Sequence, residues 1–249
     1  MRANAPYLTV NTVARARSGD ANAAGSLGLF YMNQPAPIAN LVEGERLERI
    51  AIAAGSAVAA YNLAIQYDQG RTASGRNDPE ALSLYRLAAA RGQAAAFYGI
   101  GIFYEMARGV SRDYPEAVRN FRLASSAVPN ATFRIGFYAE QGWDGGQPSP
   151  ARALPFYEDA ARRGDGMAMA ALGRLYEGGR GVSRADPVQA ADWYRRAAEA
   201  GDAGGMYQWG RVLENGIGVP RDRTAADRWY RAAAALNQRD AMARLARGG

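Results

Sequence analysis

The sequence predicts an all-α fold, a right-handed α-solenoid of stacked two-helix repeats of about 36 residues. Three observations predict it. Glycines follow Ala-rich segments at Gly19, Gly55, Gly92, Gly164 and Gly201, with Val128 and Asn237 in the two remaining slots, so that successive positions lie 36 or 37 residues apart. Two further columns keep the same beat: Tyr85, Phe121, Tyr157, Tyr194 and Tyr230, and Ala81, Ala117, Ala153, Ala190 and Ala226. A third consists of Gly28, Gly101, Gly136, Gly173 and Gly210, with Ala64 in its second slot. Several columns in one phase mark an internal repeat rather than coincidence.

Taken in order, residues 1–18 match only the second helix of a unit and form a half-repeat or N-terminal cap helix. Units follow near 19–54, 55–91, 92–127, 128–163, 164–200 and 201–236. A C-terminal cap helix closes the array at residue 245, and 246–249 form a tail. The 164–200 unit shows the internal logic best. Asp165 to Glu177 carries Ala168, Leu172, Leu175 and Tyr176 at helical spacing, and Asp186 to Ala200 carries Ala190, Trp193, Tyr194, Ala197 and Ala198. Gly178, Gly179 and Gly181 break the chain between them. Asp186 then Pro187 reads as N-cap and first helical residue. Gly201 suits the left-handed position that ends a helix. Gly173 and Ala168 let the second helix approach, and Trp193 with Tyr194 fill the gap. About 12 to 13 helices and no strands are expected in a single superhelix.

LGRLYEGGRGV (172–182) followed by DPVQAADWYRRAAEAG (186–201) resembles the Sel-one-like repeat, a relative of the tetratricopeptide repeat. WGRVLENGIGV (209–219) with DRTAADRWYRAAAA (222–235), and GIGIFYEMARGV (99–110) with DYPEAVRNFRLA (113–124), are further good matches. Residues 55–92 match less well, because their loop carries RTASGRN. Residues 127–164 depart further, with the Pro/Gly loop GWDGGQPSP (142–150), and 19–55 match mainly in the first helix. The resemblance implies a bacterial, non-enzymatic scaffold or adaptor that binds a segment of another protein on its concave face. It points to envelope, polarity or signalling complexes.

Composition narrows the chemistry. All 30 formal cations are arginine, and the chain has no Lys, His or Cys. Disulfides, thiolate metal sites and most nucleophile and general-base arrangements are therefore excluded. A P-loop is impossible without Lys, and no GxGxxG run occurs. No cofactor is expected. The net charge of +6 is dispersed, with 13 Arg and 10 acids in residues 1–127 and 17 Arg and 14 acids in 128–249, so nucleic acid is not an expected partner. No run approaches a membrane span, and MRANAPYLTV lacks the pattern of a signal peptide. A chain that opens in mid-repeat leans toward the periplasm if a segment precedes Met1, and toward the cytoplasm otherwise.

Candidate chemistry is sparse. Glu43, Glu45 and Glu48 lie near the start of a helix, where acids complement the macrodipole. Glu158 and Asp159 are adjacent and project about 100° apart, so they share no site. A two-carboxylate glycosidase site across repeats is the enzymatic alternative. No calcium-loop pattern is present. Asn130-Ala131-Thr132 fits a glycosylation acceptor but reads as a chance triplet in a turn. Trp143 is the one aromatic that a carbohydrate- or peptidoglycan-binding module could use, although packing of its loop explains it as well. The candidate partner-binding column is the residue after each helix-one glycine slot: Leu29, Ile65, Ile102, Phe137, Arg174 and Arg211. If it faces a groove, the partner segment combines apolar anchors with an acidic end. If it faces the next repeat, the Arg stems run out to water.

Overall fold

The computed structural model describes residues 10–34 and 40–247, which form fourteen helices and no strand. They gather into two compact units, Met1–Ala124 and Ser125–Gly249. The first unit holds α1 (Val10–Arg17), then the pairs α2 (Ala21–Asn33) and α3 (Leu41–Ala53), α4 (Ala57–Asp68) and α5 (Asp78–Ala90), and α6 (Ala94–Met106) and α7 (Tyr114–Ala124). The second holds α8 (Pro129–Gln141) and α9 (Pro150–Arg162), α10 (Gly166–Gly178) and α11 (Pro187–Glu199), α12 (Ala203–Asn215) and α13 (Arg223–Ala235), and finally α14 (Arg239–Arg247). The count exceeds the expected 12 to 13 because the weakly patterned second helix of the 19–54 unit forms, as do both partial units. Ala246 and Arg247 belong to α14 rather than to a tail. Residues 1–9 of the N-terminal half-repeat, and 248–249 of the tail, lie outside the described residues.

Local chemistry starts most of these helices at the expected places. Asp20, Asn40, Ser56, Asn77, Ser149 and Asp165 each accept a hydrogen bond from a first-turn backbone N–H, and Asp186, Asp202 and Asp222 do the same further on. Each such cap is worth about 1 kcal/mol against alanine. Pro129, Pro150 and Pro187 occupy first helical positions, where a missing N–H costs nothing.

The two glycine columns do different work. At the turn column, Gly55, Gly92, Gly164 and Gly201 have φ between +88° and +98°, and a Cβ would meet nothing within 4 Å. Backbone handedness selects glycine there. Asn237 fills its slot with φ +61°, as its short polar side chain allows. At the helix-one column the need is room. A Cβ on Gly173 would lie 2.5 Å from the Tyr194 ring, and one on Gly101 2.5 Å from Phe121; Gly136 and Gly210 stand likewise against Tyr157 and Tyr230.

Each first helix packs mainly on its own second helix, and each second helix on the next first helix within its unit. The core is the small-against-large layer between them. Tyr157, Tyr194 and Tyr230 are essentially inaccessible, and so are the alanines of the column four residues earlier. Trp193 departs from the expectation. It is only partly buried, with the Arg196 guanidinium 4.2 Å from its ring centre, and Tyr194 alone fills the space over Gly173. Arginines tie neighbouring repeats at the turns. In the first unit Arg91 donates to Ile52 O at 2.8 Å, and in the second Arg163 donates to Ser125 O at 2.6 Å.

The two glycine roles are separable by substitution. Gly173→Ala is expected to lower stability by about 1–3 kcal/mol through overpacking against Tyr194, despite its gain in helix propensity. Gly178→Ala, where a Cβ meets only the flexible Arg180 stem at 3.4 Å, is expected to be neutral or slightly stabilising. Equal denaturant midpoints for the two variants would show that the Gly173–Tyr194 approach is not tight.

Candidate partner-binding face

The predicted column recurs at one place on successive first helices. Leu29, Ile65, Ile102, Phe137 and Arg211 are partly buried, and Arg174 is exposed. Four residues earlier, on the same helical stripe, stands a second column: Tyr61, Tyr98, Phe133 and Tyr207, all partly buried. Each of these rings packs on the column aromatic of its own second helix. The ring centres lie 6.0 Å apart for Tyr61–Tyr85, 5.7 Å for Tyr98–Phe121, 5.6 Å for Phe133–Tyr157 and 5.7 Å for Tyr207–Tyr230. Sequence reasoning missed this column, although an aromatic stands three residues before four of the six helix-one glycine slots. Its rings are braced from behind and leave one side of the first helices partly accessible.

The arginine end of the predicted column is engaged within the fold. The Tyr194 hydroxyl donates to Glu177 at 2.9 Å, and Arg211 from the next first helix contacts both Glu177 oxygens at 2.7 Å. One repeat earlier, Tyr157 donates to Glu140 at 2.7 Å and Arg174 approaches the same carboxylate at 3.3 Å, with Arg180 3.4 Å from its other oxygen. At the C-terminal end Tyr230 donates to Glu214 at 2.8 Å, and Arg244 pairs with that acid. In the first unit Tyr85 donates to Asp68 at 3.2 Å, and the cation is Arg108 at 2.7 Å. Burial first, and then the acid it binds, raises the Tyr157 and Tyr194 hydroxyls above their ordinary range, so both remain donors at any working pH. Arg244 holds the Glu214 carboxyl below its ordinary value.

Glu48 breaks the pattern. It stands in the tyrosine column, 37 residues before Tyr85, and is fully buried with neither oxygen hydrogen-bonded. Burial pushes its carboxyl up to about 8. The first helices on either side of it supply no counter-charge, since neither α2 nor α4 carries an arginine. The helix-start role expected for Glu48 is therefore absent, because it sits in the second turn facing the core. Glu43 does lie in the first turn, paired with Arg46 at 2.6 Å, and Glu45 accepts from Tyr67 at 2.5 Å.

Trp143 is 42% exposed and meets the rings of Phe137 and Tyr138 edge-on at 5.6 and 5.9 Å. It thereby pins the Pro/Gly loop onto α8. Asn130-Ala131-Thr132 lies in the first turn of α8 rather than in a turn between helices, and Asn130 donates to Asp165 at 3.1 Å. No group of three or more acids among the described residues is placed to hold a metal ion, and no helix is long and apolar enough to cross a membrane.

Five consecutive stretches, residues 57–93, 92–127, 129–165, 166–202 and 203–238, match the Sel1 repeat. No curated protein sequence matches the chain significantly. Among solved structures, a protective antigen present in uropathogenic Escherichia coli strains and displaying an SLR fold is 28% identical, with a TM-score of 0.80. That match covers 94% of this chain and 50% of the antigen, so the chain spans half the antigen's length. A Sel1 repeat protein from Oxalobacter formigenes is 26% identical with a TM-score of 0.80, over 91% of this chain and 88% of that one. An immunity protein from Pseudomonas aeruginosa shares 19% identity at a TM-score of 0.53, over 93% and 84% of the two chains, which is a likeness of fold alone.

Two measurements probe this face. Arg211→Glu sets a carboxylate against Glu177 and is expected to cost about 1–3 kcal/mol, the penalty of a partly buried group stripped of its partner. An unchanged urea midpoint would mean that Arg211 does not hold the repeats together. For Glu48 the folded carboxyl titrates near 8 and the unfolded one near 4.5. Below about 4.5 both states keep the proton and nothing is lost. Between 4.5 and 8 the unfolded state releases it first, so stability falls as pH rises, and the loss levels off above 8. Glu48→Gln is expected to remove that decline, worth up to a few kcal/mol because a tenfold change in proton affinity equals about 1.4 kcal/mol. Parallel wild-type and Gln stability profiles from pH 4 to 9 would refute the assignment.

Proposed function

This chain belongs to the Sel1 repeat family, and from that premise we propose that it is a non-enzymatic scaffold holding a segment of another protein along the stripe of its first helices. Sel1-repeat proteins generally mediate protein–protein interaction, and the repeat is generally a non-catalytic scaffold fold. The observation that carries the finer reading is the pairing of two columns on that stripe. Tyr61 with Ile65 and Tyr98 with Ile102 are each partly accessible and four residues apart on one helix. A row of braced aromatic and aliphatic side chains offers anchor pockets at low entropic cost, which suits capture of an extended or helical apolar segment.

The partner chemistry follows from which charges remain available. Within the first unit Leu29, Ile65 and Ile102 supply apolar anchors, and within the second Phe137 does. Arg211 is committed to Glu177 and contributes little to an acidic partner. Arg174 keeps 43% of its side chain exposed and can accept an acidic residue at the edge of the stripe. The setting we favour is an envelope, polarity or signalling assembly of a bacterium. Its support is the bacterial origin of the structural relatives.

A photo-crosslinking amino acid placed at Ile65 or Ile102 in the source organism is expected to trap one partner protein. The same label at Ser83 or Arg119, on exposed second-helix surface, is expected to trap none. The double variant Ile65→Asp/Ile102→Asp should keep its helical circular dichroism and bind that partner at least tenfold more weakly. Equal crosslinking from both faces, or unchanged affinity in the folded double variant, overturns the first-helix assignment.

A further inference from the structure

A cavity of about 570 Å³ opens in the second unit beside α13, bounded by α14 and by Glu214 of α12. From α13 it is lined by Arg223, Ala226, Asp227 and Arg231, and from α14 by Arg244 and Leu245. Its origin is visible in the repeat. One unit earlier the equivalents of Asp227 and Leu245 are Ala191 and Trp209, 36 residues before each. Those two side chains share a buried apolar cluster. Here a shorter aliphatic side chain meets an acid, and the space stays open.

The arginines of this cavity differ from their counterparts. Arg195, the equivalent of Arg231, is held on its own helix by Asp192 at 2.6 Å and Glu199 at 2.9 Å. The corresponding neighbours of Arg231 are Arg228 and Ala235, so both local partners are gone. Neither Arg223 nor Arg231 makes a hydrogen bond or ion pair with any described residue. Glu214 is occupied by Tyr230 and Arg244, which leaves Asp227 as the one acid of the lining with no hydrogen bond or ion pair, acting on Arg244 only at longer range. Between Arg223 and Arg247 six arginines face two aspartates, a surplus of four positive charges in a chain whose total is +6.

We propose that this cavity receives an acidic segment of a partner polypeptide, with Arg223 and Arg231 each taking a carboxylate. The two residues lie eight apart on α13, about 12 Å along the axis at roughly 1.5 Å per residue. An extended peptide rising about 3.3 Å per residue presents acids four apart at about the same separation, one for each arginine. Guanidinium groups lose less on desolvation than ammonium groups and bind carboxylates bidentately, which fits a half-enclosed site. The site lies on a second helix and α14, and it stands independently of the first-helix stripe.

The test is fluorescence anisotropy of the whole chain with a labelled Gly/Ser peptide carrying two glutamates four residues apart, and with its glutamine counterpart. Binding of the glutamate peptide alone is expected, weakening as salt rises. Arg223→Gln/Arg231→Gln should weaken it at least tenfold with little change in the thermal melt, since neither side chain has a hydrogen bond or ion pair to lose and Arg223 acts on Glu214 only at longer range. Asp227→Asn should tighten it several-fold, which keeps the proposal testable even if the double variant unfolds. Ile65→Asp/Ile102→Asp should leave it unchanged, separating this site from the first-helix reading. Equal binding by the double arginine variant, or full displacement of the peptide by inorganic phosphate but not by chloride at matched ionic strength, overturns the proposal.

Discussion

The second unit depends on one contact made three times: a tyrosine ring lying on a glycine backbone, with its hydroxyl against a carboxylate. The ring needs the bare glycine, because a Cβ at Gly173 or Gly210 would enter it at 2.5 or 2.8 Å. The hydroxyl needs an acceptor, because an unpaired one in the core costs about 1–3 kcal/mol. The acceptor is an acid that would itself be costly to bury alone, and the following repeat supplies its arginine. Packing within a hairpin and cohesion between hairpins therefore share the same atoms. A change at any of the three side chains is felt by both.

The N-terminal repeat shows what happens when the contact is absent. With Glu48 in place of the ring, the opposing first helix has Gly25 where later repeats carry Tyr61 or Tyr98. The helices close until Gly28 and Gly44 nearly touch, since a Cβ on Gly28 would lie 2.8 Å from Gly44 O. Backbone proximity replaces side-chain filling. The carboxyl left inside has neither counter-charge nor hydrogen bond and is held neutral by its surroundings.

Much of this was legible in the sequence because the repeat multiplies each signal. One glycine in a helix says little, but four that each stand across a hairpin from an aromatic define a packing plane. The cap at Asp186 was legible from the proline after it, and Asp165, Asp202 and Asp222 stand at the same place before α10, α12 and α13. Direction was less accessible. Phase locates Arg174 and Arg211 in a column without saying which way it points, and only the position of the preceding acid reveals the inter-repeat pairing. Trp193 misled because an aromatic next to a buried tyrosine lies about 100° away around the helix, and a partly exposed tryptophan under an arginine has the same local pattern as a buried one. The open cavity beside α13 was hidden because it depends on partners that Arg231 lacks, and a missing neighbour leaves no motif.

The acid–arginine pairing also gives the second unit a polarity. Each carboxylate is neutralised by the repeat that follows it, never by the one before. Removing a repeat from the carboxyl side would strand an acid already buried beneath a tyrosine. Removing one from the amino side would strand only an arginine, whose long stem can swing into water. The two kinds of truncation are thus unequal, and the repeats lean on one another in a single direction, as tiles on a roof are held by the course above.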